Sequence, residues 1–260
     1  MLDTPRSVAE AAERIGFGRV ERAFRPTYSV NIISVTMFLG FGAAFGVAAS
    51  TITKPIGILL FAVLTTTALL LAVWAVLDTW RLIRRRFYLC EGGLLTAEHL
   101  TRLTRMIAWD DIAEIRRYYL RWYTDNGPQT MHRCRLRLTD GTSLNLEKPP
   151  LVDGQDLCEE VERRSAKARM PHILHALEAA GRADFGAITI TPDGVSSPGG
   201  YALWSDISLV RLRRTRLQVW THDGRKPVSV LIRHVPNLLN VLMILRREGL
   251  RMDLRFYRTA

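Results

Sequence analysis

Few residues in this chain are spaced for chemistry. His172 and His175 stand at i and i+3 of a helical stretch, close enough to share a metal ion. No acidic residue or cysteine lies at a telling distance from them, and Pro171 disturbs the geometry. No metal is expected there. Asp110 and Asp111 form a carboxylate pair, but adjacent strand residues point to opposite faces, so the acid is expected to cap a turn. Cys90, Cys134 and Cys158 are scattered without C-x-x-C spacing and read as reduced, mostly buried thiols. His132 reads as sheet surface, and His99, His222 and His234 are isolated. The sequence holds no G-x-S-x-G, no G-x-x-x-x-G-K-[ST] and no H-E-x-x-H, and Gly16-x-Gly18 lacks the rest of a dinucleotide fingerprint. The expectation is a non-enzyme without a cofactor.

The remaining chemistry is cationic. Lys and Arg number 36 against 25 Asp and Glu, a net charge of +11. Of the 36, only Lys54, Lys148, Lys167 and Lys226 are lysine, a bias that a GC-rich coding sequence also produces. Three clusters are the lipid- or partner-binding candidates. Arg84, Arg85 and Arg86 follow the apolar region. Arg133, Arg135 and Arg137 line one face of a strand, and Arg211, Arg213, Arg214 and Arg216 crowd one hairpin. Near anionic lipid each is worth about 1 kcal/mol; the alternative is a solvated strand face. Nucleic-acid binding would interleave exposed aromatics with the arginines. Trp122 and Tyr123 beside Arg121 hint at this, and nucleic acid is not expected as a partner.

What positions these clusters is a pair of apolar runs, Val30 to Ile52 and Ile56 to Leu77, neither with a charged residue. Each is roughly 22 residues long, and a helix needs about 20 to cross a bilayer core. Thr53, Lys54 and Pro55 alone separate them, so the helices must return antiparallel. The reading is a transmembrane hairpin over 29–80 (helices 30–52 and 56–77), rather than two buried core helices or a cleaved signal peptide. Arg6, Arg14, Arg19, Arg22 and Arg25 precede it, and Arg81 and Arg84 to Arg86 follow it, against Lys54 in the turn. The positive-inside rule puts both termini in the cytoplasm, at the cell (inner) membrane. Tyr28, Trp74 and Trp80 sit where interfacial aromatics belong. Gly42 and Gly46 form a G-x-x-x-G pair. It packs the two helices of one hairpin or, in the second reading, forms a self-association face for a homo-oligomer. Residues 1–28 are a cytoplasmic segment with a short helix after Thr4-Pro5, its face Val8, Ala11, Ala12 and Ile15. It either lies on the membrane or forms a loose tail.

After the hairpin the pattern alternates as strands do. In His132 to Leu138, Cys134, Leu136 and Leu138 face one way and the arginines the other. Glu91-Gly92-Gly93 and Asp140-Gly141 read as hairpin turns, Asn126-Gly127-Pro128 as a break, and Pro149-Pro150 as the close of the sheet. Asp153 is expected to cap a helix that Pro171 kinks or restarts and Gly181 ends. The order then repeats: Pro192-Asp193-Gly194, Asp223-Gly224, and a helix after Val235-Pro236-Asn237 with Leu238, Val241, Leu242 and Leu245 on one face. Trp109-Asp110-Asp111-Ile112 and Trp204-Ser205-Asp206-Ile207 share W-x-D-I about 95 residues apart. The expected units are 87–181 and 182–249, followed by a basic tail at 250–260.

This order resembles bacterial pleckstrin-homology-like domains, in which a bent sheet is capped by a C-terminal helix. The whole chain resembles an uncharacterised actinobacterial membrane family, a domain of unknown function. Tyr88-x-x-Glu91-Gly92-Gly93-Leu94, Trp109-x-Asp111-Ile112, Leu136-x-Leu138-x-Asp140-Gly141 and Asp184-Phe185-Gly186 carry that resemblance. It implies an α+β chain: an N-terminal two-helix transmembrane hairpin, then two pleckstrin-homology-like bent antiparallel sheets, each capped by a helix. The resemblance brings no catalytic residues. The two apolar spans, the repeated sheet-and-helix unit and the lack of a catalytic constellation lead to the expected role: protein interaction or membrane-associated scaffolding with an unknown protein partner. Phosphoinositide-binding relatives carry Lys/Arg around their first hairpin. Here that hairpin, Cys90 to Leu94, is acidic. The alternative role is a sensor of anionic lipid through the arginine faces.

Overall fold

The computed structural model describes residues 5–27, 29–97, 103–124, 127–146, 151–213 and 215–254, with the backbone alone at 29–30, 119–124 and 127–132. Tyr28, His99, Asn126, Lys148, Pro149, Pro150, Arg214 and the tail beyond Leu254 lie outside the described residues, as do the side chains of Trp122, Tyr123 and His132. The chain divides into two units. One comprises Met1–Glu91, Leu95–Met106 and Pro149–Val152; the other comprises Gly92–Leu94, Ile107–Lys148 and Asp153–Ala260.

In the first unit, α1 (Arg6–Arg14) precedes β1 (Val20–Phe24), and α2 (Ser29–Thr51) and α3 (Pro55–Arg84) follow. Both long helices are long and apolar enough to cross a membrane. Only the small side chains of Ala68, Ala72 and Ala75 are buried on α3, while Ile56, Leu59 and, on α2, Ile33 and Val47 are exposed. Small residues let backbones approach closely. A side chain at Gly42 would meet Ala68 and Leu69, whereas nothing lies within 4 Å of that position at Gly46. Gly42 thus packs within the hairpin and Gly46 does not. Asn31 Nδ2 donates to Asp78 Oδ2 at 2.9 Å, bonding the hairpin's open end. The helix α3 runs past Leu77 to Arg84, further than the apolar run predicts.

Next come β2 (Arg86–Cys90), β3 (Gly93–Ala97) and β4 (Leu103–Ala108). They form a sheet in the order β1-β2-β3-β4, with β1 antiparallel to β2 and Phe24 opposite Phe87. This corrects the expectation that 1–28 stands outside the sheets. Val20-Glu21-Arg22-Ala23-Phe24 does not alternate, and its arginine reads as part of a juxtamembrane cluster. The helix α1 packs on this sheet rather than forming a loose tail. Its Val8 and Ala12 are fully buried against Tyr88, Cys90, Leu95 and Ala97, each such apolar burial worth about 1 to 3 kcal/mol.

In the second unit a 3-10 turn, Trp109–Asp111, leads into β5 (Ile112–Thr124), β6 (Gly127–Leu138) and β7 (Ser143–Asn145), a sheet in that order. Gly127 and Pro128 are strand residues opposite Thr124 and Tyr123, not the break their composition suggests. The helix α4 (Gly154–Ala180) runs unbroken through Pro171 and does not restart there. Asp153 stands at its N-terminus with φ +56° and makes no side-chain cap. Gly181, at φ +65°, ends it.

The pattern then recurs. β8 (Ala183–Phe185), β9 (Ile188–Thr191), β10 (Gly194–Ser197) and β11 (Gly200–Leu203) form a four-stranded sheet in sequence order. A second 3-10 turn, Trp204–Asp206, opens β12 (Ile207–Leu212), β13 (Arg216–Thr221) and β14 (Val228–Leu231). The helix α5 (Leu238–Arg247) follows, and β15 (Met252–Asp253) pairs parallel to β12. The backbone repeats almost bond for bond. Thr139 N–H donates to Asp111 O at 2.8 Å, and His222 N–H to Asp206 O at 2.9 Å. Gly141 donates to Leu138 O and Gly224 to Thr221 O, both at 3.0 Å. Asp140 Oδ1 accepts from Thr142 N–H, and Asp223 Oδ1 from Arg225 N–H. The strand after each W-x-D-I turn shifts register at the same place, between Ile112 and Glu114 and between Ile207 and Leu209.

The halves of the second unit are joined by Asn237. Its N–H donates to Ile115 O at 2.8 Å, its Oδ1 accepts from Ile115 N–H at 2.9 Å, and its Nδ2 donates to Ala113 O at 3.2 Å. Asn240 Nδ2 adds a bond to Ala166 O on α4 at 2.9 Å. One apolar core, including Ile188, Val210, Leu217, Val241 and Leu245, fills the C-terminal half and reaches Ala166 and Ile173 of α4.

Candidate functional site

Alternation on β6 puts Cys134, Leu136 and Leu138 inside and leaves Arg135 and Arg137 exposed, with Arg133 half-buried. Register then sets Arg135 directly opposite Arg116 and Arg137 opposite Glu114. Glu114 Oε2 lies 3.1 Å from Arg116 Nη2, and its Oε1 lies 3.6 Å from Arg137 Nη1. Arg135 Nη2 donates to Ser143 Oγ at 3.2 Å. Together these side chains line a shallow groove of about 370 Å³. Two of the three guanidinium groups, those of Arg116 and Arg137, reach the Glu114 carboxylate. Like charges facing each other across strands are destabilising, so an anion that bridges them is favoured. The planar guanidinium fork suits a carboxylate or a phosphate. Sequence reading found Arg135 and Arg137 and missed Arg116, whose place on that face follows from the register.

Beneath this sheet a buried charge cluster fixes α4. Arg117 Nη2 lies 2.6 Å from Glu159 Oε1 and its Nη1 3.1 Å from Glu162 Oε2, with the Arg117 and Glu162 side chains each 2% exposed. The buried thiol of Cys134 is pushed well up, first by its hydrogen bond with Cys158 and then by burial. Such a thiol stays protonated and inert.

The other arginines are committed differently. Arg211 Nε sits 3.3 Å from Asp253 Oδ2, with its guanidinium 5.6 Å from the Trp220 ring centre. Arg216 Nη1 donates to Ser229 Oγ at 3.1 Å. Arg213 is exposed at the same turn, its N–H bonded to Arg216 O. None of these lines the groove on β5–β7. In the first unit Arg84 lies 4.4 Å from the Trp80 ring centre. Arg86 Nη1 donates to the carbonyls of Ile83 and Arg85, satisfying the end of α3. Asp110 and Asp111 are exposed in the 3-10 turn rather than alternating in a strand. His172 and His175 are exposed on α4. Among the described residues no group of three or more His, Cys, Asp and Glu could hold a metal ion.

A second concavity, of about 620 Å³, lies between α4 and α5. Arg163, Arg164 and Lys167 on α4 and Arg246 on α5 border it, and Leu239, Leu242, Met243, Leu250, Met252 and Leu254 line it. The signal was present in sequence as the stripe Leu239, Met243, Arg246 at helical spacing. The neighbouring core stripe, Leu238 to Leu245, hid it.

These features define a class: a repeated sheet-and-helix chain with two long apolar helices inserted after its first strand. The chain belongs to DUF6585, a family of unknown function whose profile matches residues 5–253. No curated protein and no solved structure matches the chain.

Proposed function

We propose that the protein is a non-enzymatic integral protein of the cell (inner) membrane. The helices α2 and α3 anchor it, and its repeated units are pleckstrin-homology-like modules that bind a protein or organise an assembly. One observation carries the reading: an outward surface of large apolar side chains stands between two strands, β1 and β2, that are hydrogen-bonded neighbours. Strands that pair must lie on one side of a bilayer. The arginines flanking both ends of the hairpin argue that this side is the cytoplasm. The order of four strands, a W-x-D turn, three strands and a helix, found twice, supports the pleckstrin-homology-like reading. Alkaline carbonate extraction and protease access to terminal tags in spheroplasts test it. The protein should stay in the pellet with both tags protected. Release into the supernatant, or cleavage of one tag, would sink the proposal.

The Arg116–Arg135 juxtaposition favours a second reading, recognition of anionic lipid by the face of β5–β7. The full chain is the right reagent, because a fragment starting at Phe87 lacks β1. Its nanodiscs should capture anionic vesicles, and capture should weaken with salt. Capture that ignores lipid charge would exclude this reading.

A further inference from the structure

The groove between α4 and α5 combines an apolar floor with a cationic rim. From α5 the floor takes Leu239, Leu242 and Met243, and from the following chain Leu250 and Met252. Met243 is 38% exposed, a large apolar side chain left open amid charge. Thioether side chains adapt to irregular apolar partners. On the rim, Lys167 and Arg246 are exposed. Glu160 Oε1 lies 2.5 Å from Arg163 Nη2 and 2.7 Å from Arg164 Nε. Arg164 is also 5.8 Å from the Trp109 ring centre, which fixes its direction.

We infer that this groove holds one anionic lipid with a phosphomonoester head, its acyl chain along Met243 and Leu242 and its phosphate against Lys167 and Arg246. The volume of about 620 Å³ suits a small ligand. The inference depends neither on the arginine face of β5–β7 nor on where α2 and α3 reside.

The test uses the full chain in phosphatidylcholine nanodiscs doped with phosphatidate bearing a diazirine on its acyl chain. After illumination, labelled peptides are mapped by mass spectrometry. Label should appear within 239–252. Lys167→Glu with Arg246→Glu should lower it roughly tenfold per reversed charge. Met243→Trp should lower it by filling the floor with the charges intact. Circular dichroism melts confirm that each variant is folded. Equal labelling by diazirine phosphatidylcholine overturns the inference, as does groove labelling that survives all three substitutions or its absence in the wild-type chain. Labelling that falls with Arg135→Glu and Arg137→Glu but not with the groove variants moves the site to the sheet face. A photoreactive residue at 243 that captures a polypeptide instead of lipid in native membranes also refutes it.

Discussion

Counted from the tryptophan of each W-x-D-I turn, the first repeat places Arg117 where the second places Leu212. Both are buried and both face α-helical packing or core, but one is held by Glu159 and Glu162 and the other by hydrocarbon. The same strand position therefore tolerates an ion cluster or a leucine. A buried ion pair is seldom more stabilising than the apolar packing that could replace it, yet breaking one is costly. The ionic version ties β5 to α4 at a defined register, while Leu212 merely joins a continuous core.

The largest effect should come from splitting the cluster. Arg117→Leu leaves Glu162 buried without its guanidinium and should cost about 3 to 5 kcal/mol in denaturant unfolding. Pairing it with Glu162→Leu makes the first repeat imitate the second, and stability should return or rise by about 1 to 4 kcal/mol. If the double variant is as unstable as the single, the equivalence of the two positions fails. Asn237→Ala comes next. It removes two side-chain bonds to β5 and strands a buried N–H, for about 1 to 3 kcal/mol. Smaller still are the matched turns. Gly141 and Gly224 have φ of +83° and +79°, and alanine at either should cost about 1 to 2 kcal/mol. Unequal costs would show that the two hairpins are not energetically alike. The smallest effect concerns Glu160, whose carboxyl is held below its ordinary range, first by the hydrogen bond from Arg163 and further by Arg164. A lowered folded-state value stabilises fully above the unfolded carboxyl range and fades as pH falls through the folded value. Glu160→Gln should flatten that acidic limb by less than about 1 kcal/mol, because Arg163 is solvent-screened. Melts against pH at low and high salt check it.

Much of this comparison was legible in the residues. The W-x-D-I pair, the two Asp-Gly turns and the alternation around Cys134 fix strand direction and facing locally, and the structure reproduces them. What was hidden depends on partners distant in sequence. β1 is short and half charged, so nothing nearby marks it as a strand; its partner, β2, lies beyond both long helices. Pro171 reads as a break. The helix α4 nevertheless continues through it, with Leu157, Val161, Ala166 and Ile173 buried on both sides of the proline. Asp153 and Asn237 look like side-chain caps but take left-handed backbone, and Asn237 spends its amide on β5 instead. Of the candidate sites, charge was readable from composition. Grooves were not, because Arg116 faces Arg135 only through strand pairing, and Lys167 and Arg246 border one groove only through the packing of α4 and α5.

Residues 25–85 intervene between β1 and β2. During synthesis β1 leaves the ribosome long before its partner exists. Closing a loop of that length carries an entropy cost, but once Asn31 has found Asp78 the insertion's ends are already side by side. The gap left to close shrinks to the few residues beyond that bond. Pairing of the two helices therefore lowers the entropy that pairing β1 with β2 must overcome.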